Sequence, residues 1–521
     1  MLKAKSFLKN IFLIVFIIGL IPILQIKGND INNSISLEYS TYLGGNGTEG
    51  WGFLDFDNSG NCVLSSNTDS TNFLMKNAIQ TMNMGERDRI CLKLDKKGEN
   101  ILYSSYYGGS GDDFLSEGTI DSQGNMILVG VTSSLDFPLV NALVENQSSY
   151  ERDVFVYKLS SDGQTVIFST YIGSASDYYS ISVTTDSNDN IIITGSTIAT
   201  DFLVENAYQE NKSGATDAFI TKITSDGQNV VFSTYFGGTN DDQIKRVTVD
   251  KNDNIIVIGV TSSSEQFPIK NAQNPQKSSS EWDVFLSKFS SDGQELIFST
   301  FYGGTRPWGP TAVKCDSNNN IIAAGETNSQ GFPVVNAFQE VYGEGQLDSF
   351  LSKLSSDGQE IAFSIFIGGI GSEGPIGLTT DSKDNIFLTG ATNSYNFVIK
   401  NFYQAEISGG WDGYLLACSQ DGQDLLFSSY FGGSGSDYST SIVLIPDLND
   451  SFLIAGHGDS RNLDLVNPYQ ESYGGGVFDL FICRFGYGEI NYITKQNSTP
   501  GFELMFISWL IFVYLLKKKK N

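Results

Sequence analysis

Residues 250–272 read DKNDNIIVIGVTSSSEQFPIKNA, and variants of this stretch recur along the whole chain. It begins with an Asp–Asn turn, continues into the apolar run Ile255–Ile258, and ends in a Phe-Pro-Ile-Lys-Asn-Ala segment. An apolar run of this length between turn residues predicts a β-strand that is buried on both faces. Residues 121–142, DSQGNMILVGVTSSLDFPLVNA, carry the same features in the same order.

Four landmarks, each present seven times, divide residues 37–488 into units of about 65 residues. The first is a glycine that ends an aromatic–Ser strand: Gly44, Gly108, Gly173, Gly237, Gly303, Gly368 and Gly432. The second is an Asp–Asn turn, which begins at Asp57, Asp121, Asp186, Asp250, Asp316, Asp381 and Asp447. The third is the F-P-hydrophobic-x-N-A segment, which begins at Phe73, Phe137, Phe202, Phe267, Phe332, Phe397 and, in weak form, Leu465. The fourth is D-x-F-hydrophobic-x-K, at Asp153, Asp217, Asp283 and Asp348, with variants at Arg89, Asp412 and Asp479.

Each unit contains four strand-like runs. In the fourth unit they are Val247–Asp250, Ile255–Gly259, Val284–Phe289 and Leu296–Tyr302. The last two are joined by Ser-Asp-Gly-Gln, in which Asp-Gly suits the positive φ angles of a tight hairpin. A ring of four-stranded blades buries both faces of the second strand and leaves no long exposed edge. We therefore predict an all-β fold, a seven-bladed β-propeller of antiparallel blades, with an open solenoid as the alternative architecture.

The two ends of the repeat region predict how the ring closes. The region starts with a fourth strand, Leu37–Leu43, and ends with a third strand, Leu480–Phe485. Three C-terminal strands and this N-terminal strand would complete the seventh blade. An open solenoid would not need such a closure.

The repeat resembles the SBBP family, the β-propeller repeat proteins. The pattern D-x-x-G/D-N-I-hydrophobic-x-x-G-x-T-x-S-x-x-F-P-hydrophobic-x-N-A is nearly complete at Asp121–Ala142 and Asp250–Ala272. The resemblance implies a surface propeller and says little about chemistry, because the family is defined by its fold.

The N-terminal segment, residues 1–30, is typical of a signal peptide or a signal anchor. Lys3, Lys5 and Lys9 precede the apolar run Ile11–Leu24, which is short for a membrane-spanning helix. We expect residues 37–488 to form the propeller and residues 489–501 to form a stalk.

Residues 502–521 are predicted to be a hydrophobic C-terminal anchor or sorting tail. Leu504–Leu516 is followed by Lys517–Lys520, and lysines after an apolar run keep that end in the cytoplasm. Together with Pro500-Gly501-Phe502-Glu503, the tail resembles the PGF-type sorting signals of archaeal surface proteins. We therefore expect the propeller on the extracellular face of the cell membrane.

Charge and cysteine content exclude several classes of function. The formal net charge of -27 would repel nucleic acid phosphates, so no nucleic acid partner is expected. The cysteines lie one to a strand with no C-x-x-C pair, which favours buried free thiols over zinc or disulfides: Cys62, Cys91, Cys315, Cys418 and Cys483.

The candidate ligand face carries the short loops after the glycines and the long loops between the second and third strands. Loops on a rigid scaffold are where binding usually occurs. The candidate residues are Trp51, Asp112, Asp113, Asp177, Asp241, Asp242, Arg306, Trp308, Glu373 and Asp437. The acids would attract a cation or a basic partner, or they would only cap strands. The tryptophans would stack on a ligand, or they would pack between blades. No cofactor is expected; calcium is the one cation that the acids leave open.

The sequence contains no convincing catalytic set. His457 is the only histidine and no G-x-S-x-G motif is present. Our first hypothesis is a non-catalytic surface module that binds an envelope glycan or a surface protein. The alternatives are a polysaccharide-active hydrolase or lyase with paired carboxylates, and a structural envelope component. Six N-x-S/T sequons suit an exported glycoprotein: Asn32, Asn46, Asn146, Asn211, Asn449 and Asn497.

Overall fold

The computed structural model describes residues 35–487, apart from 149, 151, 176–179, 279–280, 306–308, 330, 344 and 446–450, and without the side chains of Trp51 and Thr305. The strands of this part of the chain form seven four-stranded antiparallel sheets. Blade 1 contains β2 (Glu49–Phe56), β3 (Cys62–Thr68), β4 (Asp88–Leu94) and β5 (Ile101–Tyr107). Blade 2 contains β6 (Asp113–Ile120), β7 (Met126–Thr132), β8 (Asp153–Leu159) and β9 (Val166–Ser174). Blade 3 contains β10 (Ser182–Thr185), β11 (Ile191–Thr197), β12 (Asp217–Ile223) and β13 (Val230–Phe236).

The remaining blades follow the same plan. Blade 4 contains β14 (Asp242–Val249), β15 (Ile255–Thr261), β16 (Trp282–Phe289) and β17 (Leu296–Thr305). Blade 5 contains β18 (Pro310–Cys315), β19 (Ile321–Thr327), β20 (Asp348–Leu354) and β21 (Ile361–Ile367). Blade 6 contains β22 (Glu373–Thr380), β23 (Ile386–Thr392), β24 (Asp412–Cys418) and β25 (Leu425–Phe431). Blade 7 contains β26 (Asp437–Leu444), β27 (Ser451–Gly458), β28 (Asp479–Gly486) and β1 (Ser36–Leu43).

The ring closes through the seventh blade, where the strand order is β26-β27-β28-β1. The N-terminal β1 pairs with the C-terminal β28 from Ser36↔Gly486 to Leu43↔Leu480. The first strand of each blade is innermost and contacts the first strand of the next blade around the ring. The predicted seven-bladed propeller, closed by an N-terminal strand, is confirmed.

The hydrophobic core lies between the blades. The second and third strands are buried almost throughout, and each core cluster joins side chains of neighbouring blades. The F-P phenylalanines are part of this core: the ring centroid of Phe202 lies 4.5 Å from that of Phe219, and Phe332 lies 4.5 Å from Phe350. Since each blade has two apolar faces, neither face is buried until a neighbouring blade covers it.

A buried lysine links the Asp–Asn turn of one blade to the next blade. Lys222 Nζ lies 2.8 Å from Asp186 Oδ2 and donates a hydrogen bond of 2.8 Å to the carbonyl oxygen of Ser291 in blade 4. The same arrangement recurs for Lys93, Lys158, Lys288 and Lys353 with their own turn aspartates. In blade 1 the strand begins at Asp88, so the counterpart of the other motif aspartates is Asp88 rather than Arg89.

The long loops do not lie wholly on one face, because their middle part runs along the outer edge of the blade. Glu205 exchanges backbone hydrogen bonds with Ser233 on the outermost strand of blade 3. The following Asn206 has a φ of 45° and donates its side-chain amide to the carbonyl of Val231. Gln294, from the Ser-Asp-Gly-Gln hairpin of blade 4, donates to the carbonyl of Asn206. The F-P-x-x-N-A segment therefore covers the edge strand and ties two blades together.

The innermost strands are longer than the sequence suggested. The predicted run Val247–Asp250 is the end of β14, which starts at Asp242. A β-bulge between Ile244 and Arg246 interrupts the alternation of side chains there. Six of the seven inner strands carry a register shift at the equivalent point: β2, β6, β14, β18, β22 and β26. The bulge explains why the alternating pattern could not reveal the first half of these strands.

Candidate ligand site at the mouth of the central channel

The inner strands surround a central channel, and its mouth opens on the side of the short loops. A cavity of about 500 Å³ lies there, bordered by blades 2, 4, 5, 6 and 7. Cavities of about 300–1,000 Å³ lined by apolar groups with a few polar ones are typical of ligand sites in proteins. This mouth cavity is the strongest candidate site in the described part of the chain.

Stacked aromatic rings form one wall of the mouth cavity. The ring centroid of Trp411 lies 6.1 Å from that of Tyr438, with an angle of 28° between the planes. Tyr438 stacks in turn on His457 at 5.3 Å and 21°, and Phe478 contacts His457 edge-on at 5.3 Å. Trp411 and Tyr438 line the cavity and are half-buried. Their flat, fixed faces suit the apolar face of a sugar ring or a planar ligand group.

His457 supports this wall and is not suited to act as a base. Its side chain is buried, and burial lowers the pKa of the imidazole to about 4. The ring is therefore neutral at neutral pH and stacks as a flat aromatic group between Tyr438 and Phe478.

Charged groups also border the mouth cavity. Lys245 and Arg246 come from β14, and Glu326 comes from the end of β19. Lys245 lies at the β-bulge and borders the cavity, although its side chain is only 5 % exposed. The site thus combines an apolar aromatic wall with a few polar groups that could orient a ligand.

Sequence reasoning missed the aromatic wall, although a signal for it was present. The residue immediately before the aspartate that begins the D-x-F-hydrophobic-x-K landmark varies between units, and at several blades it lines or borders the mouth. In chain order these residues are Arg87, Arg152, Thr216, Trp282, Leu347, Trp411 and Phe478. The available signal was variation at one fixed position of an otherwise regular repeat. This position is basic in blades 1 and 2 and apolar in blades 4–7.

The predicted acids fall into two groups, of which the larger is buried. Asp113, Asp242, Glu373 and Asp437 are the first residues of inner strands and are at most 1 % exposed. Glu49, which the sequence analysis did not single out, occupies this position in blade 1.

Each of these carboxylates holds the short loop that precedes it. Asp242 accepts hydrogen bonds from the backbone N–H of Gly238 at 2.7 Å and from the Ser263 hydroxyl at 2.9 Å. Asp437 does the same with Gly433 N–H at 2.7 Å and Ser460 at 2.6 Å. The serine is the one in the G-x-T-x-S part of the repeat. This geometry is that of strand capping.

The other described acids are more exposed. Asp112 lines a cavity of about 100 Å³ together with Arg87 and Arg152. Asp241 is half-buried and accepts the backbone N–H of Thr216 at 3.0 Å. The structure therefore does not bring the predicted acids together as an open ring.

The predicted tryptophan and arginine sites are only partly described. Trp51 lies in β2 at the bulge between Gly50 and Gly52, while its side chain is outside the described part. Asp177, Arg306 and Trp308 lie outside the described residues, as do the sequon residues Asn32, Asn449 and Asn497. The other sequon residues, Asn46, Asn146 and Asn211, are exposed.

The described residues include neither a metal-binding cluster nor a membrane-spanning helix. That part of the chain contains no group of three or more His, Cys, Asp and Glu side chains that could hold a metal ion. It also contains no helix long and apolar enough to span a membrane. The predictions for residues 1–30, 489–501 and 502–521 concern residues outside it. The five cysteines are free thiols, and Cys315 is half-buried where a fully buried thiol was expected.

Comparison with known proteins supports the repeat assignment. Residues 231–265 match the family described as Beta-propeller repeat, SBBP. Among curated proteins, no sequence matches that of this chain.

Several solved structures align over most of the chain, at low similarity. A protein of unknown function from Dyadobacter fermentans is 10% identical, with 87% of this chain and 99% of that chain covered and a TM-score of 0.40. A quinohemoprotein alcohol dehydrogenase from Pseudomonas putida is 9% identical, with 89% and 78% covered and a TM-score of 0.39. BamB from Moraxella catarrhalis is 9% identical, with 87% and 100% covered and a TM-score of 0.36. Similarities at this level carry no argument about function.

Proposed function

We propose that this SBBP-repeat propeller is a non-catalytic binding module of the cell surface that holds a glycan at the mouth of its central channel. The observation that carries the proposal is the aromatic wall of Trp411 and Tyr438, supported by His457 and Phe478, beside a cavity of about 500 Å³. Rigid aromatic faces supply contact area at low entropic cost, and the charged groups that border the cavity supply hydrogen bonds to hydroxyls. The proposal includes anchoring by the C-terminal tail, with the propeller outside the cell.

A binding role is favoured over the alternative of a polysaccharide-active hydrolase or lyase. Paired carboxylates could cleave a glycosidic bond only if both reach the substrate. Glu373 borders the mouth cavity but is 1 % exposed, and its carboxylate already accepts hydrogen bonds from Gly369 N–H and the Thr392 hydroxyl. A protein ligand or a purely structural envelope role would not need an aromatic-lined cavity.

The binding proposal predicts that the aromatic wall is needed to hold envelope material. We expect the full chain, purified in detergent, to co-sediment saturably with cell envelopes, and soluble envelope oligosaccharides to compete. Trp411→Ala and Tyr438→Ala should each weaken this binding at least about tenfold, because residues with large buried ring area dominate binding energy. Tyr395→Ala is the matched control, since Tyr395 is 73% exposed and does not line the cavity.

Three outcomes of the same experiment separate the alternatives. Unchanged binding by both variants would contradict the mouth cavity as the site. Competition by surface proteins and not by oligosaccharides would indicate a protein ligand. Release of reducing sugar would indicate an enzyme. Parallel samples with calcium and with a chelator test whether binding requires calcium, the cation that the acidic loops would attract.

A further inference from the structure

Below the mouth, the central channel contains a second cavity of about 400 Å³ that is bordered by all seven inner strands. Each inner strand is the edge strand of its sheet, so its backbone N–H and C=O groups on the channel side have no ladder partner. Such groups favour water or a polar ligand over an apolar one. This polar channel is distinct from the aromatic mouth.

One layer of the channel wall has threonine in four of the seven units, and the other three units have Asp55, Lys314 and Val443 there. The layer lies eleven residues after the landmark glycine of each unit. Thr119, Thr184 and Thr248 occupy this position in blades 2, 3 and 4 and line the cavity. Asp55 occupies it in blade 1, and Lys314 occupies it in blade 5. The repeat shows that the fold does not require a charge at this level.

The two charges face the channel without neutralising each other through direct contact. Asp55 is in blade 1, which lies across the seven-bladed ring from blades 4 and 5, and Lys314 is in blade 5. Lys314 is exposed in the channel, while Asp55 is half-buried. Asp55 and Lys314 attract each other, but within the described residues no hydrogen bond or ion pair of 4.0 Å or less joins them. One oxygen of Asp55 accepts the backbone N–H of Phe56 at 2.8 Å, and the other remains for a ligand.

A second pair of opposite charges lies nearer the mouth, and its two side chains already form an ion pair. Arg246 borders both cavities, and its Nε lies 4.0 Å from Glu117 Oε1. Glu117 also accepts the backbone N–H of Val183 at 3.1 Å. The Asp55–Lys314 layer therefore differs from this one in having a gap between its opposite charges.

We propose that the channel binds a small zwitterion of the free α-amino acid class, with its ammonium at Asp55 and its carboxylate at Lys314. An α-amino acid carries these two charges on groups bonded to the same carbon atom. One molecule can therefore pair with both walls of the gap and leave its side chain in the remaining space. A ligand with a single charge would leave one wall without a partner, and an unpaired charge in a narrow channel is unfavourable. The proposal is independent of the glycan site at the mouth.

The test compares zwitterions with analogues that lack one charge. The full chain is titrated calorimetrically with glycine, L-leucine and L-glutamine, and then with the N-acetyl and carboxamide derivatives of the tightest binder. We expect saturable binding of the free amino acid and at least about tenfold weaker binding of both derivatives. No saturation by any of the three amino acids at about 10 mM, or equal binding of either derivative, would overturn the proposal.

Two variants that install the residue found in other blades test whether Asp55 and Lys314 bind the ligand. Asp55→Thr and Lys314→Thr install the residue that blades 2–4 carry at this level, so the fold should tolerate them. Each variant should weaken amino acid binding at least about tenfold. Asp55→Thr should not affect the residual binding of the N-acetyl derivative, because that derivative lacks the ammonium group that Asp55 would bind. Lys314→Thr should not affect the residual binding of the carboxamide, which lacks the carboxylate. Thr119→Ser, in the same layer, is the control and should bind as the unmodified chain does. Normal binding by both threonine variants would contradict the assignment.

Discussion

At the scale of single residues, the hairpin glycines serve two purposes at once. Gly163 in Ser-Asp-Gly-Gln has a φ of 72°, and a Cβ there would lie 2.5 Å from the ring of Tyr103 in the preceding blade. Gly227 has the same relation to Phe168. The sequence indicated the turn, but only the packed ring shows that the glycine also makes room for an aromatic side chain.

This double role predicts unequal costs for two glycine substitutions with similar backbone angles. Gly60→Ala should cost about 1 kcal/mol, because its φ is 75° and the nearest heavy atom to an added Cβ is 3.8 Å away. Gly163→Ala should cost about 3 kcal/mol, since overpacking against Tyr103 adds to the same backbone strain. Urea unfolding of both variants measures the difference. Equal losses would mean that the ring moves aside without cost.

At the scale of the blade, the buried lysine is the link that the D-x-F-hydrophobic-x-K motif provides. Lys222 and Asp186 have side chains that are 6% and 2% exposed, so their charges neutralise each other away from water. Blade 6 has Ala417 at the lysine position, and its turn residue Asp381 is half-buried instead. A blade without the lysine thus keeps its carboxylate nearer to solvent.

We expect Lys222→Ala to destabilise the propeller by about 3 kcal/mol, because it leaves the Asp186 carboxylate buried without its cation. Adding Asp186→Asn should restore part of the loss, since the amide oxygen can still accept the N–H groups of Asn188 and Asn190. Asp381→Asn in blade 6 is the matched control and should change stability little. Chemical unfolding checks all three. A loss below about 1 kcal/mol for Lys222→Ala would show that the link is dispensable.

At the scale of the whole ring, buried carboxyl groups meet in pairs where one blade joins the next. The acid that starts a third strand lies close to the acid that starts the next inner strand, and the landmark glycine between them has no side chain to separate them. The pairs are Asp88 with Asp113, Asp217 with Asp242, Asp348 with Glu373, Asp412 with Asp437, and Asp479 with Glu49.

These pairs give the ring a pH-dependent stability. Burial raises the pKa of Asp242 and of Glu49 to about 7, and that of Asp88, Asp348, Asp437 and Asp479 to about 6. A carboxyl group with a raised pKa binds its proton more tightly in the folded chain. Its stabilising effect is therefore complete below about pH 4, decreases as the pH rises, and is gone above about pH 6 to 7. The turn aspartates behave oppositely: hydrogen bonds and the lysine lower the pKa of Asp186 despite its burial, so its contribution is lost below pH 4.

We therefore expect the propeller to be most stable near pH 4 and to lose stability as the pH rises to about 7, with little further change toward pH 8. Thermal unfolding across this range is the measurement. Asp242→Asn should make the fall between about pH 4 and pH 7 smaller, because an amide cannot lose the proton that the carboxyl group loses. Asp201→Asn, at an exposed aspartate, is the control. A stability that rises steadily to pH 8 would contradict the role of the pairs.

The sequence by itself determined the number of blades, the number of strands in each and the way the ring closes. These properties are encoded by local signals that recur every 65 residues or so: apolar runs, hairpin turns, and an N-terminal strand that the seventh unit lacks. The inner strands were only half recognised, since a β-bulge breaks their alternation.

Only the tertiary structure decided which polar residues face a ligand. Asp112 and Asp113 are adjacent in sequence, yet one is exposed and the other is covered by Ser134 and the loop it holds. Trp411, Tyr438 and His457 come from three segments that stack because two blades meet there. The physical reason is that burial and stacking depend on the neighbouring blade, and no local pattern records which side chains the closed ring brings together.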